Sequence, residues 1–87
     1  MFYTYILINL VKTKTYVGST QNIEQRLKEH NRGKVTFTRK FLPYQILHVE
    51  NFVTNKEARA RERFYKTTSG RRRIKELIAG EIFRKDI

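Results

Sequence analysis

The sequence predicts an α+β fold: a small, mainly antiparallel three-stranded sheet flanked by three helices, in the order ββαβαα. Three observations carry that expectation. Aromatic and β-branched residues crowd three short runs, at 2–9, 14–18 and 45–53. Capping signals open helices after the second and third of these runs. The link between the first two runs, Leu10 to Thr13, is short enough for a hairpin, which makes that pair antiparallel. With 87 residues there is room for a single domain over residues 1–87 and one modest core, for which 39% hydrophobic residues suffice.

The first strand reads Phe2-Tyr-Thr-Tyr-Ile-Leu-Ile-Asn9 and the second Lys14-Thr-Tyr-Val-Gly18, with Gly18 expected to end it where the chain must turn or allow a close approach. Asn22 with Gln25 forms a capping box for a helix from about 23 to 31. Counting about 100° per residue from Ile23, Leu27 falls at about 40°, His30 at about −20° and Arg26 at about −60°. Arg26 and His30 therefore border the apolar stripe and point toward the sheet. Residues 32–44 form a long irregular segment with four cations, interleaved with Phe37 and Phe41 and ending near Pro43. A loop of that length in so small a domain is usually functional. In the third strand Ile46, His48, Glu50 and Phe52 share one face, and Leu47, Val49, Asn51 and Val53 the other. Thr54 with Glu57 caps a basic helix from about 55 to 67, on which Ala58, Glu62 and Tyr65 share a face. A last helix begins near Ser69-Gly70, carries Ile74, Leu77 and Ile78 inward, and is expected to stop at Gly80.

Charge narrows the function. Nineteen Lys+Arg against eight Asp+Glu give a net +11. So large a charge repels itself, and a polyanionic partner is the usual reason to keep it, so nucleic acid is the expected partner. Residues 56–75 hold nine Lys+Arg and two Glu, or +7 of that total. There is no cysteine, hence no disulfide framework and no thiolate metal site. No apolar run approaches the roughly 18 residues of a membrane span, and no basic leader precedes the first strand, so no membrane association and a cytoplasmic location are expected. Zinc spacing, a P-loop and a nucleotide-binding glycine pattern are all missing from the sequence.

Five residues draw attention as chemistry. Tyr5 and Tyr16 lie on neighbouring strands of the hairpin. Strand tyrosines are commonly packing residues, and a phenol with its ordinary pKa near 10 is a poor base without a nearby cation or metal-bound water. Arg26 and His30, four apart, read either as a surface pair or as a phosphate clamp beside a proton acceptor. Glu62 faces inward on a helix whose other charges are nearly all positive. It reads either as a carboxylate paired with Arg59 or Lys66, or as a single ligand for a hard cation that also holds waters and phosphate. His48 and Glu50, two apart on a strand, read as packing or surface. Lys34, Arg39, Lys40, Arg59, Arg63, Lys66, Arg71 and Arg72 are the candidates for contact with nucleic acid. Phe37, Phe41 or Tyr44 can stack on bases, although at least one of them is expected in the core.

In order and spacing these residues resemble the GIY-YIG nuclease domain. Tyr3-Thr4-Tyr5 stands where Gly-Ile-Tyr belongs, and Tyr16-Val17-Gly18 where Tyr-Ile-Gly belongs. Arg26 to His30 matches the Arg-x-x-x-His helix, and Glu62 stands at the metal-binding glutamate. The resemblance covers nearly the whole chain and is greatest to small stand-alone members. It implies a phosphodiesterase using one Mg²⁺ or Mn²⁺ ion. Tyr5 or Tyr16 would help deprotonate water with His30 assisting, Arg26 would bind the phosphate, and Glu62 would hold the metal. Larger relatives are homing endonucleases, repair incision subunits and restriction enzymes. The first-motif glycine and isoleucine are replaced here by Tyr3 and Thr4. The late asparagine often found after the glutamate helix is missing, with Ser69 the nearest polar residue.

The expected function is thus metal-dependent endonucleolytic hydrolysis of DNA, structured or single-stranded, with low sequence specificity because phosphate contacts position without specifying. DNA ranks ahead of RNA, and the protein is expected as a monomer or weak homodimer. The rival readings are a non-catalytic nucleic-acid-binding module of the same fold and a basic adaptor for another protein.

Overall fold

The computed structural model describes the backbone of residues 1–85 and the side chains of residues 1–81. Its elements are β1 (Phe2–Asn9), β2 (Thr15–Thr20), α1 (Ile23–Asn31), β3 (Tyr44–Phe52), α2 (Asn55–Tyr65) and α3 (Thr68–Lys85), with a single 3₁₀ turn at Arg39–Phe41. The order is the expected ββαβαα. The sheet runs β2-β1-β3 and is antiparallel throughout, with β1 in the centre.

β1 is central because it is the one strand buried on both faces, from Thr4 to Asn9. Its alternate side chains serve two cores. Tyr5 and Leu7, with Tyr44, pack against Ile23 and Leu27 of α1. Ile6, with Val17, packs against Tyr65 of α2 and Ile74 of α3, joined by Leu77 and Ile78. Each such fully buried apolar side chain is worth roughly 1.5–3 kcal/mol relative to exposure. The result is three layers, with α1 on one face of the sheet and α2 and α3 on the other.

Asn9 sets the hairpin. Its side chain accepts from the Thr13 and Lys14 backbone amides at 2.9 and 2.8 Å and donates to Thr13 Oγ1 at 3.0 Å. The N-caps expected for α1 and α2 are present, Asn22 Oδ1 accepting from the Gln25 amide and Thr54 Oγ1 from the Glu57 amide. Neither box closes back onto the cap's own amide: the Asn22 amide donates to Thr20 Oγ1, and Thr54 Oγ1 donates to the Glu57 carboxylate. Thr4 Oγ1 ties β1 to α2 by donating to the Ala58 carbonyl at 2.6 Å.

Three expectations need correction. Gly18 does not end the second strand, which continues to Thr20. It pairs with Tyr5, and a Cβ on Gly18 would overlap the Tyr5 ring, 2.6 Å from Cζ; the glycine makes room for that ring. Gly80 does not stop the last helix, which runs on to Lys85. An interior glycine costs a helix only about 1 kcal/mol, too little to break it. The faces of β3 do not alternate cleanly. A register shift opposite Ile6 and Leu7 inserts Leu47, which joins the core around Ile6 while Ile46 turns outward, 40% exposed. Smaller differences are that α2 ends at Tyr65 and β3 begins at Tyr44.

At the α2–α3 corner Gly70 is buried against the preceding turn. A Cβ there would lie 2.7 Å from the Phe64 carbonyl carbon, and backbone cannot yield as a flexible side chain can. At Gly80 nothing lies within 4 Å of the added carbon. Gly70→Ala is therefore expected to destabilise the fold by about 1–3 kcal/mol, and Gly80→Ala to stabilise it by about 0.5–1 kcal/mol. Urea unfolding of the two variants reads both, and equal effects would refute the distinction.

Candidate active site

Four of the five candidate catalytic residues meet at one phenol. Tyr5 rises from β1, where register places it opposite Gly18, so Tyr16 of β2 is its diagonal neighbour rather than directly opposite. Their ring centroids lie 6.3 Å apart. From α1, Arg26 Nε donates to Tyr5 Oη at 3.2 Å, and His30 Nε2 lies 3.1 Å from the same oxygen. Tyr16 packs on the His30 ring at 4.8 Å between centroids. The helical angles placed Arg26 and His30 toward the sheet, and there they stand.

The proton positions follow from the partners. Thr38 Oγ1 donates to the Val35 carbonyl at 3.3 Å, so it accepts from His30 Nδ1 at 2.9 Å. With its proton on Nδ1, His30 presents a bare Nε2 that accepts the Tyr5 hydroxyl proton. Burial, assisted by the Arg26 charge, drives the His30 pKa down to about 4, so the ring is neutral at pH 7. Burial also raises the Tyr5 pKa, overcoming the Arg26 hydrogen bond that favours phenolate. The resting centre is thus a neutral phenol donating to a neutral imidazole, with one guanidinium alongside. Arg26 Nη1 is held by Glu29 at 3.0 Å, and its side chain remains 34% exposed. Nη2 has no hydrogen bond among the described residues and is available to a ligand.

Glu62 stands across β2 from this group. Ser19, next to Gly18 and therefore pointing to the opposite face, donates to Glu62 Oε1 at 2.9 Å. Lys66 Nζ holds Oε2 at 3.0 Å. The carboxylate is close enough for its charge to add to the forces raising the Tyr5 pKa. Of the two partners considered for Glu62, the structure pairs it with Lys66.

A family model described as the GIY-YIG catalytic domain matches residues 1–76. The chain belongs to the GIY-YIG family. Among relatives it is 42% identical to a UPF0213 protein of Bacillus licheniformis, over 83% of this chain and 73% of that one. It is 31% identical to another from Clostridium perfringens, over 99% and 91%. The solution NMR structure of a UPF0213 protein from Bacillus halodurans superposes with a TM-score of 0.53 at 31% identity, covering 91% of this chain and 84% of that one.

Two residues of this GIY-YIG domain were missed in the sequence. Thr38, fully buried in the irregular loop, fixes the His30 tautomer. Ser19 supports Glu62 by donating to its carboxylate, while Ser69, the nearest polar candidate for the late asparagine, is exposed. Ser19 was reachable: period-2 alternation from Gly18 sends it toward α2.

GIY-YIG nucleases typically use a divalent metal, and the donor set here fits one kind of ion. Among the described residues no three of His, Cys, Asp and Glu come together, so they form no all-protein cage. Glu62 instead lies in a cleft of about 280 Å³ with Ser19, Arg59 and Arg63. One carboxylate with a serine hydroxyl beside it suits a hard ion that keeps most of its waters, with Arg59, Arg63 and Lys66 opposing it by their charge.

The other candidate cations are spread over the surface. Lys34, Arg39 and Lys40 are exposed in the loop after α1, and Arg71 and Arg72 on the first turn of α3. Lys66 and Arg71 border a separate cleft beside Tyr16. Among the described residues no helix is long and apolar enough to cross a membrane. Behind the sheet, His48 and Glu50 belong to a structural network, as their spacing suggested. Glu50 accepts from Arg61 Nε at 2.8 Å, from Tyr65 Oη and from His48 Nε2. Burial opposes its charge, yet the hydrogen bonds hold its carboxyl below the usual range.

The depressed His30 pKa has a signed consequence. The unfolded chain binds a proton at this residue below about pH 6.5, the folded protein only below about 4. Between those values the unfolded state holds more protons, so stability falls as pH falls. The loss is on the order of 3 kcal/mol and is complete below the folded pKa. Urea unfolding between pH 4 and 7 should show a shallower dependence for His30→Gln than for the wild type; parallel curves would contradict a buried neutral imidazole.

Proposed function

We propose that this single GIY-YIG domain is a metal-dependent endonuclease that hydrolyses phosphodiester bonds of nucleic acid, DNA ahead of RNA, with low sequence specificity. The observation that carries the reading is the connected set Arg26–Tyr5–His30–Thr38, a phenol held between a cation and a bare imidazole nitrogen. The net charge of +11 supplies the attraction for a polyanion.

In this reading the exposed side of Arg26 grips the scissile phosphate and stabilises the charge that grows on it. Tyr5 takes a proton from the attacking water as its own proton passes to His30 Nε2. The phosphate also changes His30. Arg26 is one cause of its low pKa, and an anion seated on Arg26 offsets that field, so the imidazole becomes a better acceptor once substrate is present. Tyr16 packs on His30 and holds the ring in place. Glu62, with Ser19, would hold the divalent ion, Mg²⁺ or Mn²⁺, which when bound polarises the phosphate and neutralises the leaving oxygen.

One observation favours a second reading, a non-catalytic nucleic-acid-binding module: Lys66 already neutralises Glu62. Cleavage assays with Mg²⁺ or Mn²⁺ on branched, single-stranded and duplex DNA separate the two. Arg26→Ala and Glu62→Gln are each expected to lower kcat/KM by roughly 10²-fold or more, and His30→Gln by roughly 10²- to 10⁴-fold. Wild-type protein that binds but never cleaves would establish the second reading, and cleavage surviving Glu62→Gln would remove the metal assignment.

Lys66 and a divalent ion compete for one carboxylate in this reading. Lys66→Met should therefore tighten Mn²⁺ binding at low salt by roughly 2- to 5-fold, the range expected when an exposed ion pair is removed. Electron paramagnetic resonance of free Mn²⁺ measures this without catalysis; equal affinities would place the ion elsewhere.

A further inference from the structure

We propose that the cleft along the open edge of β2 is a stacking slot for one unpaired nucleobase of single-stranded DNA, with the neighbouring phosphate on Lys66 and Arg71. The proposal rests on the nucleic-acid reading above and names the form of substrate it takes.

The cleft, about 450 Å³, is lined by the rings of Phe37 and Tyr16, by Val17 and Ile74, and by Lys66 and Arg71. It is large enough for a base. β2 is an outer strand of the sheet, so its free edge has no strand partner. Phe37 is 69% exposed, a large apolar ring that folding leaves in water. It is not left loose. Its ring leans on Tyr16 at 6.0 Å between centroids and 45° between planes. The next residue, Thr38, is fully buried and bonded to His30, and the Thr38 and Arg39 amides both reach the Val35 carbonyl. A ring held in place and open on one side suits stacking on a flat π-system, and every base offers such a face.

Charge decides the occupant. An apolar peptide would gain nothing from the two cations, whereas a nucleotide brings a flat base and an anion together. Tyr16 is shared between this cleft and the His30 ring, so the slot adjoins the group that carries the proposed chemistry. A paired base is already stacked on both faces, and duplex DNA would have to give one up.

The chain has no tryptophan, so Phe37→Trp creates a single fluorescent reporter in the slot. Short oligodeoxythymidylate, in EDTA to prevent cleavage, is expected to quench that emission. Phe37→Ala and Phe37→Leu are each expected to bind it roughly 5- to 100-fold more weakly than wild type. Their salt dependence should be unchanged, because the phosphate contacts remain. Thermal melting by circular dichroism should show both variants as stable as wild type, since the ring is exposed. Unaltered affinity in Phe37→Ala and Phe37→Leu, or unquenched emission at saturation, overturns the slot while leaving the nuclease reading to stand on wild-type cleavage. Failure of wild-type protein to bind the oligonucleotide at low salt overturns the slot, and the nuclease reading falls with it only if branched and duplex DNA are left uncleaved as well.

Discussion

The hydrogen bond between Tyr5 and His30 constrains more of this molecule than any other contact. Both groups are almost fully buried, and a buried polar atom left unpaired costs about 1–3 kcal/mol. The polar atoms of the pair therefore need partners, and each partner fixes a piece of the fold. His30 Nδ1 requires Thr38, which draws the irregular loop back over α1. Tyr5 Oη engages Arg26, which sets the rotation of α1 about its axis. The Tyr5 ring needs space above β2, which leaves glycine at position 18. Much of the architecture on this face is the set of conditions under which a phenol and an imidazole can be dry together.

Dryness also determines the electrostatics. Burial disfavours both the phenolate and the imidazolium, so the pair rests uncharged. The charge of the site lies at its rim, on Arg26 toward one side and on the Glu62–Lys66 pair toward the other. In the proposed reading, a neutral centre inside a positive border would draw a phosphate in without spending charge on a resting acid or base, and the bound anion, rather than the solvent, would decide how readily the proton moves.

What the sequence made legible was local and periodic. The stripe of Ile23 and Leu27 and the position of His30 beside it follow from the helical repeat alone. The burial of β1 follows from its run of apolar residues, and the Lys66–Glu62 pair from a spacing of four. What stayed hidden depended on distant partners. A glycine that ends a strand and one that clears space for a tyrosine on the next strand look alike, and at Gly18 only the register separates the turn from the close approach. Thr38 sits in an aperiodic loop, so nothing nearby signals that its hydroxyl meets a helix. The shift at Leu47 arises between two strands and has no mark in either. Gly80 lies inside α3 because a stop signal needs capping partners as well as a glycine.

The network around Glu50 lies on the opposite face of the sheet from Tyr5. There Arg61 spans the Phe64 and Tyr65 rings at 4.4 and 4.9 Å while holding the carboxylate. Successive residues of β1 thus serve different masters: Tyr5 belongs to the chemistry, while Thr4 and Ile6 belong to the scaffold. The two surfaces share a backbone but few side chains. Natural variation and protein engineering can accordingly reshape the Glu50 network for durability in heat or salt without touching Tyr5, provided that Ser19 and Glu62, which stand on that same side, are kept.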